Sequence, residues 1–160
     1  MPEIDFVFDR NENDLEEAKD LIDTVRKFGF NGLTDYEKSR WNSGLKACRN
    51  ASDLNRIGNA CNIIGELLNL QINEKTDWDF IDIPTDEDIQ SILDSVQNIR
   101  NEMAGYVSGM PDVPQNPINS INNMNNVEKI LYDVYNVIGV ISNDMQVCGD
   151  SFACSDNRLI

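Results

Sequence analysis

Apolar residues recur at alternating intervals of three and four residues in three separate stretches of this 160-residue chain. The residues that define this spacing include Leu54, Ile57, Ile64, Ile92, Ile99, Leu131 and Ile138. The spacing places apolar side chains on one face of an α-helix. No stretch keeps it for more than about three heptads, which is marginal for an autonomous coiled coil. The pattern therefore predicts an all-α fold, packed as a small bundle or as an elongated helical oligomer.

Capping residues and helix breakers divide the chain into about five amphipathic helices. Thr34 followed by Glu37 has the spacing of a capping box, so a helix is expected to begin there. Thr85 followed by Asp88 has the same spacing. The expected helices are residues 14–28 capped by Asn13 or Asp14, one from Thr34, one over 50–70, one from Thr85, and one after the asparagine-rich segment 119–126. Gly44, inside the second helix, either permits a close helix crossing or marks the helix end.

The remaining segments are expected to be extended or irregular. Residues 4–8, which include Phe6 and Phe8, are β-branched or aromatic and favour a short strand or arm. Residues 73–84 alternate apolar residues with acids and end at Pro84, which predicts an extended connector held by its aromatic residues. The expected organisation is a helical module with its arm over 1–72, the connector and two long helices over 73–147, and a tail over 148–160.

The charge of the chain limits its partners. It carries 28 acidic against 13 basic residues, a formal net charge of −15. Such a surface repels nucleic-acid phosphates and anionic membranes, so neither is an expected partner. The N-terminus lacks the features of a secretory signal, and no apolar run is long enough to span a membrane. The chain is therefore expected to be made in the cytoplasm without a signal peptide.

Several catalytic and metal-binding classes are disfavoured by the residue inventory. The chain contains no histidine, which removes Ser-His-Asp triads and histidine-bearing zinc sites. Cys48 and Cys61 are expected to be buried thiols, because they lie on helical segments beside apolar residues. Cys148 and Cys154 could form a disulfide only in an oxidising compartment. The spacing of these cysteines does not match a structural zinc site.

Acidic residues are abundant but lack the arrangement that catalysis or metal binding requires. The segment from Asp9 to Asp14 faintly resembles the opening of a calcium loop, yet glycine is absent at its sixth position and glutamate at its twelfth. Helix capping with solvated charge is the favoured interpretation. Paired acids such as Glu16 and Glu17 lie on outer helix faces, and a glycosidase needs two carboxyls facing across a cleft. No catalytic residue, metal or cofactor is therefore expected.

The two tryptophans, Trp41 and Trp78, are interpreted as core residues, with a subunit contact as the alternative for one of them. Together with the helix faces and the arm they make up the expected packing and assembly residues. That set is Phe6, Phe8, Trp41, Leu54, Ile57, Ile64, Trp78, Ile92, Ile99, Leu131 and Ile138.

Several motifs occur in a fixed order along the chain. They are Phe28-Gly29-Phe30, Leu33-Thr34, Glu37, Trp41, Gly44-Leu45-Lys46, the run from Asn50 to Ile57, Thr76-Asp77-Trp78, Ile83-Pro84-Thr85, and the run from Asn126 to Leu131. Together they resemble tail-associated baseplate and tail-fibre proteins of phages, prophages and phage-tail-like particles of Gram-positive bacteria. The resemblance covers roughly residues 9–142. It departs from the pattern at Cys48, Arg49 and Ser52.

The resemblance implies a structural or adaptor component of a phage-like tail, which attaches fibre or receptor-binding parts and has no enzymatic activity. Its implied partners are other tail, baseplate or fibre proteins, and the particle would be released by lysis. We expect a homo-oligomer, with a trimer suggested by analogy to fibres. The alternative is an acidic helical module that binds or regulates a basic partner. Sizing with light scattering would separate an oligomeric tail part from a monomeric module.

Overall fold

A computed structural model describes the backbone of residues 2–156 and the side chains of residues 2–142. The helices are α1 Glu12–Phe28, α2 Asp35–Asn42, α3 Ala51–Leu67, α4 Asp86–Met103 and α5 Ile121–Asp156, with a 3-10 turn at Phe30–Gly32. Residues 2–156 contain no strand. The predicted all-α fold is therefore confirmed, whereas a strand at residues 4–8 is wrong.

Local hydrogen bonds explain where these helices begin. Thr34 and Glu37 form a complete capping box, in which the Thr34 amide donates to the Glu37 carboxylate at 2.7 Å. Thr85 is capped in the same way at the start of α4. The cap of α1 is Asn11, whose side chain accepts from the amides of residues 13 and 14, instead of the predicted Asn13 or Asp14. Each cap satisfies amides that the first helical turn leaves unpaired.

The C-terminal ends of α2 and α5 are formed differently. α2 ends at Asn42, and Gly44 beyond it has a φ of 85°, so this glycine marks the helix end. α5 continues to Asp156, although an irregular tail was expected from residue 148. No proline lies within α5 to stop it, and Gly149 alone costs only about 1 kcal/mol. The side chains of Cys148 and Cys154, and the disulfide suggested for them, lie outside the described residues.

The main core is formed by α3, α4 and α5, which pack against one another in pairs. Most of the residues expected to pack are buried in this core: Leu54, Ile57, Ile64, Trp78, Ile92, Ile99, Leu131 and Ile138. The helix faces with three-and-four spacing therefore meet within a single chain. Because α3 shares its core with α4 and α5, a division at residue 72 separates helices that pack together.

A second, smaller core holds α1, α2 and the segments that follow each of them. Ala18 and Leu21 of α1 pack with Leu33 and Leu45, and Trp41 lies half-buried against them. A bidentate ion pair across this unit joins Arg40 to Glu17 with both N–O distances at 2.8 Å. The N-terminal helices are thus a satellite beside the three-helix core.

The N-terminal arm lies along α5 instead of pairing with a strand. The Phe6 ring lies 5.9 Å from that of Tyr132 and 6.0 Å from that of Tyr135, measured between centroids. Phe8 lies 4.8 Å from Tyr132. With no strand among residues 2–156 to offer an edge, the arm is held by aromatic packing and side-chain hydrogen bonds.

Candidate protein-binding site

The connector between α3 and α4 carries three highly exposed apolar side chains. Phe80 is 88% exposed, Ile81 69% and Ile83 89%. A single exposed apolar residue is ordinary, but three within four positions form a contiguous apolar feature of the kind that marks interaction sites. We call Phe80, Ile81 and Ile83 the apolar tip. The expectation that the aromatic residues of the connector hold it in place is wrong for Phe80, because its side chain is exposed to solvent instead of packing against the helices.

A tight turn fixes the shape of the apolar tip. The Asp82 amide donates to the Asp79 carbonyl and the Asp79 amide donates to the Asp82 carboxylate, both at 3.0 Å. Lys75 Nζ donates to the same carboxylate at 2.9 Å. The hydrogen bond from Lys75, followed by that from Asp79, lowers the pKa of Asp82 below its usual value of 3.8. Asp82 is therefore charged at neutral pH, and the turn is closed.

Two asparagines of α3 hold the backbone of the connector. The Trp78 amide donates to Asn55 Oδ1 at 2.7 Å, and Asn55 Nδ2 donates to the Trp78 carbonyl at 2.9 Å. Asn62 makes the same pair of bonds to the Glu74 amide and carbonyl, at 2.7 and 2.9 Å. Each asparagine amide thus takes the place of a neighbouring strand and satisfies backbone groups of the connector.

Two glycines on the same face of α3 allow the connector to approach. A Cβ at Gly58 would lie 2.5 Å from the carbonyl oxygen of Lys75, and one at Gly65 would lie 2.9 Å from the side chain of Ile72. A β-carbon at Gly58 would force the backbone apart. Asn55, Gly58, Asn62 and Gly65 together form what we call the Asn/Gly face, and it fits the connector closely to α3.

The connector is also fastened to α4. The carboxylate of Glu74 accepts hydrogen bonds from the hydroxyl of Ser95 at 2.6 Å and from that of Ser91 at 3.0 Å. The connector is thereby held by α3 on one side and by α4 on the other. These bonds restrain the connector that carries the apolar tip, which reduces the entropy lost when a partner covers the tip.

A cleft of about 450 Å³ lies between the apolar tip and the junction of α2 with α3. Its walls include Trp41, Trp78, Phe80, Pro84, Arg49 and Ser52. Trp78 is buried, and its Nε1 has no hydrogen-bond acceptor among the described residues. A buried indole N–H normally has a partner. The aromatic walls give the cleft the features of a binding site.

The surroundings of the apolar tip are strongly acidic. Residues 74–88 contain seven acids and one lysine, a net charge of −6. That lysine, Lys75, lies over the Trp78 ring with its Nζ 4.2 Å from the centroid and also pairs with Asp82. Exposed acids such as Asp77 and Asp79 are left at the rim of the tip. The surface therefore combines apolar contact area with negative potential.

A buried ion network fastens the arm to the main core. Glu128 of α5 is fully buried and accepts from Arg10 Nη2 at 2.9 Å, from Arg56 Nη2 at 2.8 Å and from the Val7 amide at 2.7 Å. Asp53 accepts from the same Arg10 nitrogen at 3.1 Å and also from Arg56. We call Arg10, Asp53, Arg56 and Glu128 the ion network. Two arginines balance two carboxylates, as buried charges require.

Further hydrogen bonds complete the surroundings of Arg10. Its Nε donates to the Lys46 carbonyl at 2.9 Å, and its Nη1 donates to the Val7 carbonyl. Asn125 accepts from the Arg10 amide at 3.2 Å and donates to the Arg10 carbonyl at 2.9 Å. Arg10 thus joins the arm, the segment after α2 and α5, which gives it a structural role.

The residues predicted from the sequence to pack or to mediate assembly lie in three places: the cleft, the surface of α5 and the main core. Trp41 and Trp78, interpreted as core residues, both line the cleft, although Trp78 is buried in the main core as well. Phe6 and Phe8 lie along α5, and the others occupy the main core. Sequence reasoning missed the ion network and the Asn/Gly face. The sequence pattern that could have indicated the Asn/Gly face is an Asn-x-x-Gly unit repeated after seven residues, at 55–58 and 62–65.

No metal site is found in the part of the chain with described side chains. Groups of three or more acidic or cysteine side chains placed to hold an ion are absent there. In the segment compared with a calcium loop, Asn11 and Asp14 are used in the capping box of α1. The capping interpretation of this segment is therefore confirmed.

Comparisons with known proteins add no identity: no family model, no curated protein and no solved structure matches this chain. Among the described residues, no helix is both long and apolar enough to cross a membrane.

Proposed function

We propose that this protein is a non-enzymatic adaptor that joins protein subunits through its apolar tip. The resemblance set out in the sequence analysis suggests the setting, a baseplate or tail fibre of a phage-like tail. The observation that carries the proposal is the exposure of Phe80, Ile81 and Ile83 on a connector that both α3 and α4 hold in place. An apolar tip so firmly presented is suited to binding a partner and has no evident role in the fold of the chain itself.

Covering the tip would contribute a large part of the free energy that specific binding requires. Full burial of one large apolar side chain contributes about 1.5–3 kcal/mol, so covering the tip contributes roughly 5–9 kcal/mol. The cost of association must be subtracted from this sum, and prior fixation of the connector lowers that cost. A few neighbouring contacts around a central aromatic residue would then give a stable complex.

In this proposal, the apolar tip makes the contacts with other subunits, and the apolar helix faces do not. The apolar faces of α3 and α4, and that of α5 as far as Ile138, are already covered within one chain. A homo-oligomer, including the trimer suggested by analogy to fibres, would therefore form through other surfaces. The proposed partners are other tail, baseplate or fibre proteins.

Incorporation into particles tests the proposal. Tail particles would be purified from a producing strain and probed for the chain by immunogold electron microscopy. The Phe80→Ser variant should be lost from particles, whereas Tyr106→Ser should be retained. Tyr106 is a matched control because it is 71% exposed and follows the far end of α4, about 27 Å from its beginning. Particles that lack the wild-type chain would contradict the proposal, and tail genes absent from its genomic neighbourhood would weaken it.

A regulatory module that binds a basic partner is the second candidate. The net charge of −15, and of −6 around the tip, favours it. Size-exclusion chromatography with light scattering would separate the two candidates. A stable monomer that never enters particles supports the regulatory module. An oligomer, or a chain found in particles, supports the tail adaptor.

A further inference from the structure

We infer that the cleft and the apolar tip together receive an extended peptide segment of the partner, in which apolar residues alternate with lysine or arginine. This inference rests on the proposed adaptor function and specifies the chemistry of its partner. Phe80 belongs both to the tip and to the cleft wall, so the two features form one continuous surface.

The lining of the cleft favours a narrow chain over a folded surface. The cleft is open to solvent between the α2–α3 junction and the connector, and Trp41, Trp78 and Pro84 form its apolar walls. Flat aromatic and prolyl surfaces bind extended backbone well, because a preformed extended segment loses little entropy. A folded partner surface would cover the tip but would leave the cleft unfilled.

A hydrogen-bond donor in the cleft wall matches the carbonyl groups of such a segment. Arg49 is exposed in the cleft wall and makes no ion pair with any described side chain. An extended peptide presents carbonyl oxygens at regular intervals, and each requires a donor once it leaves water.

Charge at the rim selects a cationic segment. Asp77 and Asp79 are exposed beside the tip, and residues 74–88 carry a net charge of −6. Lysine or arginine side chains that flank the apolar residues of the peptide would meet this potential. Opposite charges at a rim speed association and fix orientation, and their effect falls with rising salt.

A random library of short displayed peptides tests the inference on the full chain. Enrichment of peptides that combine apolar residues with lysine or arginine is expected. An enriched peptide should change the intrinsic fluorescence, because both tryptophans of the chain line the cleft. Phe80→Ser and Ser52→Phe, which would fill the cleft, should each weaken binding about tenfold. Tyr106→Ser should change it less than about twofold, and circular dichroism would establish that every variant is folded.

The charge argument has its own variant. Asp77→Asn should weaken binding of the cationic peptides at low salt and have little effect at high salt. Enrichment of acidic peptides, no enrichment at all, or binding unaffected by Ser52→Phe would each overturn the inference. If Phe80→Ser still abolishes incorporation into tail particles, the adaptor function stands without this peptide site.

Discussion

Replacing Glu128 by glutamine tests how the N-terminal arm is fastened to the core. The Glu128 carboxylate is fully buried and accepts hydrogen bonds from Val7, Arg10 and Arg56, all between 2.7 and 2.9 Å. Glutamine keeps the shape of the side chain but removes its charge. Its amide nitrogen is also a donor and would face other N–H donors.

The expected magnitude follows from the charge balance of the ion network. Wild-type Arg10 and Arg56 are balanced by Asp53 and Glu128, and Glu128→Gln leaves one positive charge uncompensated. Removing one partner of a buried ion pair costs about 3–5 kcal/mol. For a chain of this length each kcal/mol lowers the melting temperature by about 2–4 °C, so a fall of roughly 6–20 °C is expected.

Urea unfolding followed by circular dichroism measures the change in the free energy of unfolding. The control is Asp112→Asn, because the Asp112 side chain is 98% exposed and its Oδ1 lies 2.9 Å from Arg100 Nη2. An exposed pair contributes less than about 1 kcal/mol. Adding Arg10→Met to Glu128→Gln should cost less than the sum of the single changes, because the charges balance again. A loss for Glu128→Gln no larger than that of the control would refute the reasoning.

Three further predictions concern the connector and the core. Alanine favours helices more than glycine does. Gly58→Ala should nevertheless lower the free energy of unfolding by about 1–3 kcal/mol in urea melts, because the added Cβ would clash with the Lys75 carbonyl. A gain in stability would contradict this close approach. Ile64→Asp should lower the free energy of unfolding by several kcal/mol, because Ile64 is buried. Glu66→Ala should leave it almost unchanged, because Glu66 is exposed, and equal melting temperatures for the two variants would refute this assignment. The lowered pKa of Asp82 contributes stability that is present above pH 3.8 and is lost as the pH falls through the lower pKa of the folded state. The protection factors of the turn amides, which correct for the intrinsic pH dependence of exchange, should therefore fall in that acidic range, and Lys75→Met should reduce the change.

The parts of the fold that could be predicted from the sequence depend on local chemistry. The capping boxes at Thr34 and Thr85 join residues three positions apart, so the printed sequence contains the complete signal. The three-and-four spacing of apolar residues likewise identified the faces of α3, α4 and α5 that enter the core. The arm was misjudged as a possible strand, because its apolar residues fit a helix surface as well as a strand edge.

The parts that could not be predicted depend on contacts between distant segments. Glu128 lies beside Val127 in an apolar helix face, and nothing local shows that Arg10 will neutralise it. The exposure of Phe80 could not be foreseen either, because Asn55 and Asn62 fix the path of the connector from another helix. The candidate site was therefore visible in the sequence only as its two tryptophans.

The ion network also sets an order of events while the chain is being synthesised. Arg10 and Glu128 are separated by 118 positions. At ribosomal rates of about 5–20 residues per second, the arginine emerges roughly 6–24 s before its carboxylate partner. The satellite of α1 and α2 has its own apolar contacts and can collapse during that interval. The first residues of the nascent protein must nevertheless wait for α5 before they can dock, so the beginning of the polypeptide is among the last parts to reach its final place.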